Sequence, residues 1–445
     1  MILKNCMNRT LLAGVALAFS SVTASAETIT VCASGCDYTS INAAISAASD
    51  GDVIQLAAET YFEGEQIDTD GKAITLRGVL DKAGEPASVI DGAGKHRVIV
   101  CRGLAKETTS IQNLVIRGGI GEPEQIFNGP SRYRVGGGIF VDGSTVCVSN
   151  CILSSNSAGF GGGGLYSLDA HVTACSTVFS MNYSLGGGGA VCKGGAANFA
   201  DCRFEFNDAG NNGGGGLALI LLEAGEVRAC EFKFNTGDFG AALYDLENLF
   251  TQVEDCIFLG NFASEIGGGV VSEFSDLLLT NSEFIGNYAG GSGGGVNEFG
   301  GSATIADCDF FKNEAGGYGG AVAISYLAPA FVDRCHFHGN SAGIAGESIS
   351  VDFDVDLFLE NTAFTECCQI YPPRQITDLG GNDYDSWCDD CRADVNCRDN
   401  AVSAADLGIL IGSWGTNDPQ CDINGDGTVS AADLGLLIGA WGPCT

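Results

Sequence analysis

Two stretches decide the reading of this chain: Cys230-Glu-Phe232-Lys-Phe-Asn235 and Cys256-Ile-Phe258-Leu-Gly-Asn261. They are one pattern, Cys-x-Phe-x-x-Asn, and it recurs along most of the sequence. Asn156, Asn182, Asn207, Asn235, Asn261, Asn287, Asn313 and Asn340 follow one another at about 26 residues, the period of a solenoid unit. Three residues before each stands Leu153, Phe179, Phe204, Phe232, Phe258, Phe284, Phe310 or Phe337. Five residues before most of them stands Cys151, Cys202, Cys230, Cys256, Cys308 or Cys335. A glycine cluster and an apolar residue follow each Asn, as in Gly213 to Leu217 and Gly293 to Val296.

Cys and Phe lie two apart, so they share one face of a strand while the residues flanking Phe point the other way. Those flanking positions are often charged: Arg203 and Glu205, Glu231 and Lys233, Asp309, His336. A coil of this length holds three short strands and their turns, and successive coils pair in parallel at ~4.8 Å. Equal repeat positions then stack. Phe lies on Phe inside, Cys packs as a small apolar group, and Asn at a bend satisfies main-chain groups of the neighbouring coil. A β-propeller blade needs about 40 residues, too many for this period. The six cysteines therefore form a ladder of free thiols, whereas Cys32 and Cys36 are placed to bridge.

The N-terminal region completes the stack. Residues 39–48 read as a short amphipathic helix with Ile41, Ala44 and Ile45 on one side, covering the open end of the sheets. Strands follow at Val53 to Leu56, Ala73 to Leu76, Val89-Ile90, Val98 to Val100 and Leu114 to Ile116.

Composition sets the compartment. Lys4 and Arg9, the apolar run Leu11 to Val22 and Ala24-Ser25-Ala26 form a secretory leader over residues 1–26, too short to span a membrane. A secreted or cell-surface protein is expected, and twenty cysteines suit an oxidising environment. The formal charge of −34 repels nucleic acid and anionic lipid, so neither is an expected partner.

Residues 27 to about 367 resemble the pectin-lyase-like superfamily, in which a capping helix precedes a right-handed parallel β-helix. Gly136 to Asn340 is similar to the repeats of chlamydial polymorphic outer-membrane proteins, which combine a Gly-Gly-Ala-Ile type motif with Phe-x-x-Asn. Gly319-Gly320-Ala321-Val322 and Phe310 to Asn313 carry that likeness here. The resemblance implies an all-β class with a cap and first coil over 27–70 and the helix proper over 71–370.

Beyond a linker at 371–391, two segments match each other, Asp394 to Gly415 and Asp422 to Gly442, both containing Val-Ser-Ala-Ala-Asp-Leu-Gly. In the second, Asp422, Asn424, Asp426, Ser430 and Asp433 place oxygen side chains at positions 1, 3, 5, 9 and 12 of a calcium loop. Thr428 offers its carbonyl at 7, and Gly427 the sharp turn. Hard oxygen donors suit Ca²⁺. The first loop is irregular: Asp399, Ser403 and Asp406 fit, but Asp394 and Asn396 fit only if one residue near Cys397-Arg398 bulges out. Helices are expected after Asp406 and Asp433.

Residues 392–445 resemble a type I dockerin, which implies bound Ca²⁺ and a cohesin-type protein partner, with Ala404-Ala405 and Ala431-Ala432 at the family's recognition positions. Dockerins commonly accompany enzymes acting on polysaccharides, so an extracellular polysaccharide is the second expected partner. Cys388, Cys391, Cys397, Cys421 and Cys444 are expected to staple the module; zinc or redox work for Cys388-x-x-Cys391 is the lesser reading.

Catalysis is harder to find. Glu283, Asp309 and His336 hold one outward position on consecutive coils, an acid/base or cation set, or simply a solvated face. A second acidic row reads as Asp142, Asp169, Asp245, Glu273 and Glu298, a Ca²⁺ site or a plain acidic ridge before it is chemistry, and the basic turn Lys95-His96-Arg97 with Arg102 either neutralises a uronate or is simply solvated. No Asp-Asp with downstream Gly-His-Gly and Arg-x-Lys, as in polygalacturonases, and no pectate-lyase Arg motif is present. The sequence thus favours a secreted β-helix scaffold or adhesin that binds polysaccharide or acts in a polysaccharide-degrading complex, with a polysaccharide lyase or glycoside hydrolase delivered by its dockerin as the alternative.

Overall fold

The computed structural model describes residues 26–103, 108–127, 130–326, 329–352, 355–365, 370–371, 376–383, 393–395, 401–417, 421–424 and 426–443. The expected leader, apart from Ala26, lies outside them. The solenoid is a right-handed parallel β-helix. In the coil beginning at Leu243, strands Leu243–Leu246, Thr251–Glu254 and Ile257–Leu259 are each paired in parallel with their counterparts one coil on. A fourth short strand, Phe262–Ile266, belongs to a small sheet in the middle of the stack. The three-strand coil read from the repeat is therefore an underestimate there: the chain stays extended beyond the buried Asn before it reaches the glycines.

The repeat positions stack as their spacing requires. From Phe179 to Phe364 the rings form one interior column, and Phe204 and Phe232, for example, lie 4.8 Å apart and 4° from parallel. Thr177 and Ser282 replace Cys in two coils of the neighbouring column, and their hydroxyls donate to the carbonyl two residues back, as the cysteine thiols do. The column thus selects a small side chain with one hydrogen to give. Cys151, Cys202, Cys230, Cys256, Cys308 and Cys335 are free and buried, and burial pushes the Cys151 thiol up to about 12, so it is an inert packing group. Cys32 and Cys36 are disulfide-bonded.

The buried Asn ladder is the most fully satisfied feature of the fold. Asn235 Nδ2 donates to the Phe204 carbonyl at 2.9 Å and to Asn261 Oδ1 at 3.0 Å. Its Oδ1 accepts from Asn207 N at 3.1 Å and Asn207 Nδ2 at 3.0 Å. All four hydrogen-bonding positions of the amide are used, and only an amide offers two donors and two acceptors in this shape.

Helix α1 (Ile41–Ala47) caps the first coil with Ile41, Ala44 and Ile45 buried and Ser40 as its N-cap. At the other end the solenoid does not stop at residue 370. Ile376–Gly380, inside the stretch read as linker, pairs in parallel with Leu357–Glu360. The tail has its own core of Ala393, Val395, Val402, Leu410, Cys421, Ile423, Val429 and Leu437, built around α2 (Ala404–Gly412) and α3 (Ala431–Gly439). Among the described residues no helix is long and apolar enough to cross a membrane.

Asn235→Ala strands the Phe204 carbonyl, both donors of Asn207 and one acceptor of Asn261. At about 1–3 kcal/mol for each stranded group, partly relieved by water, the expected loss is ~3 kcal/mol or more. Urea unfolding checks this; a loss below ~1 kcal/mol contradicts the role given to the ladder.

Candidate functional site

Strand alternation on the sheet that follows the glycine clusters sends two rows of side chains outward. One row is Val100, Phe140, Tyr166, Val191, Ala218 and Tyr244; the other is Arg102, Asp142, Leu168, Lys193, Ile220, Leu246 and Glu273. The first row, with Ile126 and Val135 from above, forms an apolar cluster separate from the solenoid core. The cover is an antiparallel hairpin, Glu122–Glu124 with Tyr133–Val135.

Arg97 fixes that hairpin. It is fully buried and stacks over the Phe140 ring at 4.5 Å. Its Nε donates to the Gly136 carbonyl and its Nη2 to that of Val135, both at 3.0 Å, and its Nη1 pairs with Glu124 at 2.9 Å. Arg102 pairs with the same Glu124 oxygen. These two arginines were read as free to meet a uronate; the structure instead engages both in holding the hairpin down.

Beside the hairpin opens a cleft of about 340 Å³, walled by Phe127, Phe160, Tyr166, Phe239 and Tyr244 and by main chain at Gly161, Gly186, Gly187 and Gly213. Lys193 reaches into it: its ammonium lies 3.6 Å from the Phe127 ring centre and donates to the Ile126 carbonyl at 2.9 Å. Burial pushes its pKa down, against the pull of Asp169. Tyr244 donates from its hydroxyl to Glu273 Oε2 at 2.9 Å, and burial raises both Tyr166 and Tyr244 above the usual phenol range. The cleft offers flat apolar surfaces and one cation.

The carboxylate set expected on the Phe strands is real in register. Glu283, Asp309 and His336 align on three successive coils, and His336 Nδ1 lies 2.9 Å from Asp309 Oδ1. Their surroundings are water: the side chains of His336 and Asp309 are 69% and 60% exposed. This is a solvated hydrogen-bonded pair on an open face. Arg203 lies in register with Glu231 and Glu205 with Lys233 on adjacent coils, and Lys233 pairs with Glu231 of its own strand at 2.6 Å.

The second acidic row does not form. Asp142 and Glu273 point outward in one row, whereas Asp245 and Glu298 point into the core in the row of Val141, Cys192 and Leu219, and Asp169 sits one residue further on. Coil lengths vary, and a one-residue shift sends a side chain to the other face. Burial pushes Asp245 up to about 6 and Glu298 up to about 8, and the neighbouring Asp245 charge adds to the second shift.

In the tail, Ser403 and Ser430 are N-caps whose capping boxes are completed by Asp406 and Asp433. Asp422 accepts from Asp426 N at 3.1 Å and Gly427 N at 2.6 Å; Asp433 accepts from Asn424 N at 3.0 Å and Ser430 N at 2.7 Å. Among the described residues no group of three or more His, Cys, Asp or Glu side chains gathers as a metal site. The donor chemistry nevertheless fits calcium: Asp394, Asp406, Asp422 and Asp433 are all buried, and the ligand positions Asp422, Asn424, Asp426, Ser430 and Asp433 of the second loop all carry side-chain oxygens. Asn396 and Asp399 of the first loop lie outside the described residues, as do Cys388, Cys391, Cys397 and Cys444.

No family model and no curated protein matches the chain. Among solved structures, it is similar to a pectate lyase at 12% identity over 90% of this chain and 87% of that one, with a TM-score of 0.38. The A-module of a mannuronan C-5 epimerase from Azotobacter vinelandii is 13% identical over 78% and 95%, with a TM-score of 0.33. A polygalacturonase from Erwinia carotovora is 12% identical over 82% and 99%, with a TM-score of 0.32. Likeness at this level carries no inference about activity.

The aromatic cleft escaped the sequence reading, although a signal was there. Phe140, Tyr166 and Tyr244 each follow the first inward apolar residue after a glycine cluster, so alternation points them out of the core, where large aromatics need a reason. Arg97→Met leaves the Val135 and Gly136 carbonyls without the guanidinium and Glu124 with Arg102 alone, and Arg97→Lys cannot restore the fork. Limited proteolysis should cut both variants between residues 124 and 133 at least tenfold faster than the parent; equal rates would show that the hairpin holds without Arg97.

Proposed function

We propose that this chain is an extracellular carbohydrate-binding β-helix protein whose ligand lies in the aromatic cleft, and whose C-terminal module binds Ca²⁺ and attaches the protein to a partner. The cleft carries the reading. The C–H faces of a sugar ring pack on flat aromatic walls, and Lys193 supplies one directed charge. Such a site is mostly apolar with few polar anchors, as binding pockets are. The water-exposed Glu283, Asp309 and His336 stand on a different sheet, so binding and chemistry are not combined in one place. The leader read at residues 1–26 supports an extracellular setting.

Affinity electrophoresis against a polysaccharide panel tests this. At least one polymer should retard the protein, and Phe127→Ala with Lys193→Gln should weaken that retardation tenfold or more, while Asp309→Asn leaves it unchanged. Retardation that survives both cleft substitutions moves the binding site elsewhere.

For the tail, Asp422, Asn424, Asp426, Ser430 and Asp433, with the Thr428 carbonyl, would hold one ion, and Asp394, Asn396, Asp399, Ser403 and Asp406 a second, weaker one. The ion would neutralise carboxylates that the fold buries. Ile411 and Trp414 after the first loop, and Ile438 and Trp441 after the second, are exposed at matching positions, which supports docking of a cohesin-type partner on either half. Calorimetry should show Ca²⁺ uptake, with the tighter event abolished by Asp422→Ala plus Asp433→Ala. Unchanged uptake in that variant refutes the second loop as a site.

A further inference from the structure

We propose that the solenoid interior holds one divalent cation, Ca²⁺, between Asp245 and Glu298. The inward row to which they belong is otherwise apolar or small: Cys101, Val141, Ser167, Cys192 and Leu219 precede them, and Ile324 and Val351 follow. Asp245, Ser272 and Glu298 occupy three successive coils of that row. All three are sealed from solvent.

Two carboxyls in such a place either hold on to protons, as burial drives both of them to do, or stay ionised beside a compensating cation, because withdrawing each charge from water is costly. Among the described residues neither has an ion-pair partner. Hydrogen bonds compensate only in part. Asp245 Oδ1 accepts from Asn248 Nδ2 and, at 2.7 Å, from Thr251 Oγ1, while Oδ2 receives only the longer Ser272 contact at 3.3 Å. Glu298 Oε1 accepts from Gly301 N at 3.2 Å. Its Oε2 is buried without a hydrogen bond of normal geometry, although the Ser272 side chain lies close enough to act on the carboxyl.

The under-used oxygens are thus Asp245 Oδ2, Ser272 Oγ and Glu298 Oε2, one from each coil. Neighbouring coils are one ladder step of ~4.8 Å apart, so the two carboxylates flank the serine from opposite sides. The set contains oxygen alone, which selects a hard cation, and two carboxylates balance a charge of two. Calcium tolerates an irregular, low-symmetry shell, whereas magnesium demands an octahedron. An ion here has no path to solvent and is taken up on folding.

The test uses the full-length chain with the tail loops silenced by Asp406→Ala, Asp422→Ala and Asp433→Ala, refolded in calcium chloride and desalted against chelator. Metal analysis after denaturation should find about one retained Ca²⁺ per chain, and adding Glu298→Gln should remove it. No retained ion in the tail-silenced parent overturns the proposal, as does equal retention with Glu298→Gln. Should Glu298→Gln not refold, Ser272→Ala takes its place: retained ion must fall, and undiminished retention counts against the site.

Discussion

Everything in this molecule depends on successive coils staying in register, and the interaction that enforces register is the buried asparagine amide. Main-chain ladders alone hold parallel strands together but tolerate a slip of two residues, which keeps every side chain on its own face. An amide that must find a carbonyl one way and another amide the other way tolerates none. Asn207, Asn235 and Asn261 each use donor and acceptor across the coil boundary. The phenylalanine column follows from this lock and adds area: near-parallel rings about one strand spacing apart fill the core without a void.

Fixed register turns sequence period into surface pattern. Each outward position becomes a row, so a site is made by departures from the repeat in adjacent coils and not by a local motif. Phe140, Tyr166 and Tyr244 are such departures, and the hairpin that Arg97 fastens over Phe140 makes them one wall of a cleft. The same logic places Asp309 beside His336, but with nothing above them to exclude water.

The architecture was legible because it is periodic. The Asn, Phe and Cys columns, the capping helix and the strand directions all follow from spacing and alternation. Three things did not, each for a physical reason. The fourth strand near Phe262 and the last pairing at Ile376–Gly380 carry no repeat signature, since main-chain pairing needs no particular side chain. The acidic row from Asp142 to Glu298 dissolved because coil lengths differ by one or two residues, enough to turn Asp245 and Glu298 inward. The role of Arg97 was hidden because its partners, Glu124 and the carbonyls of Val135 and Gly136, come from a hairpin outside the repeat. In the tail, the helices after Ser403 and Ser430 were plain from Ser-Ala-Ala-Asp, which is at once a capping box and the end of a calcium loop, so capping by itself does not separate the two readings.

The account separates binding, placed in the cleft, from the exposed carboxylates, to which it gives no chemistry. The most direct test is the chain-length distribution of each polysaccharide after prolonged incubation with the purified protein and Ca²⁺. Unchanged length, including for any polymer the protein binds, is the predicted result. Shortened chains that disappear with Asp309→Asn or Glu283→Gln would contradict it and place an active site on the open face.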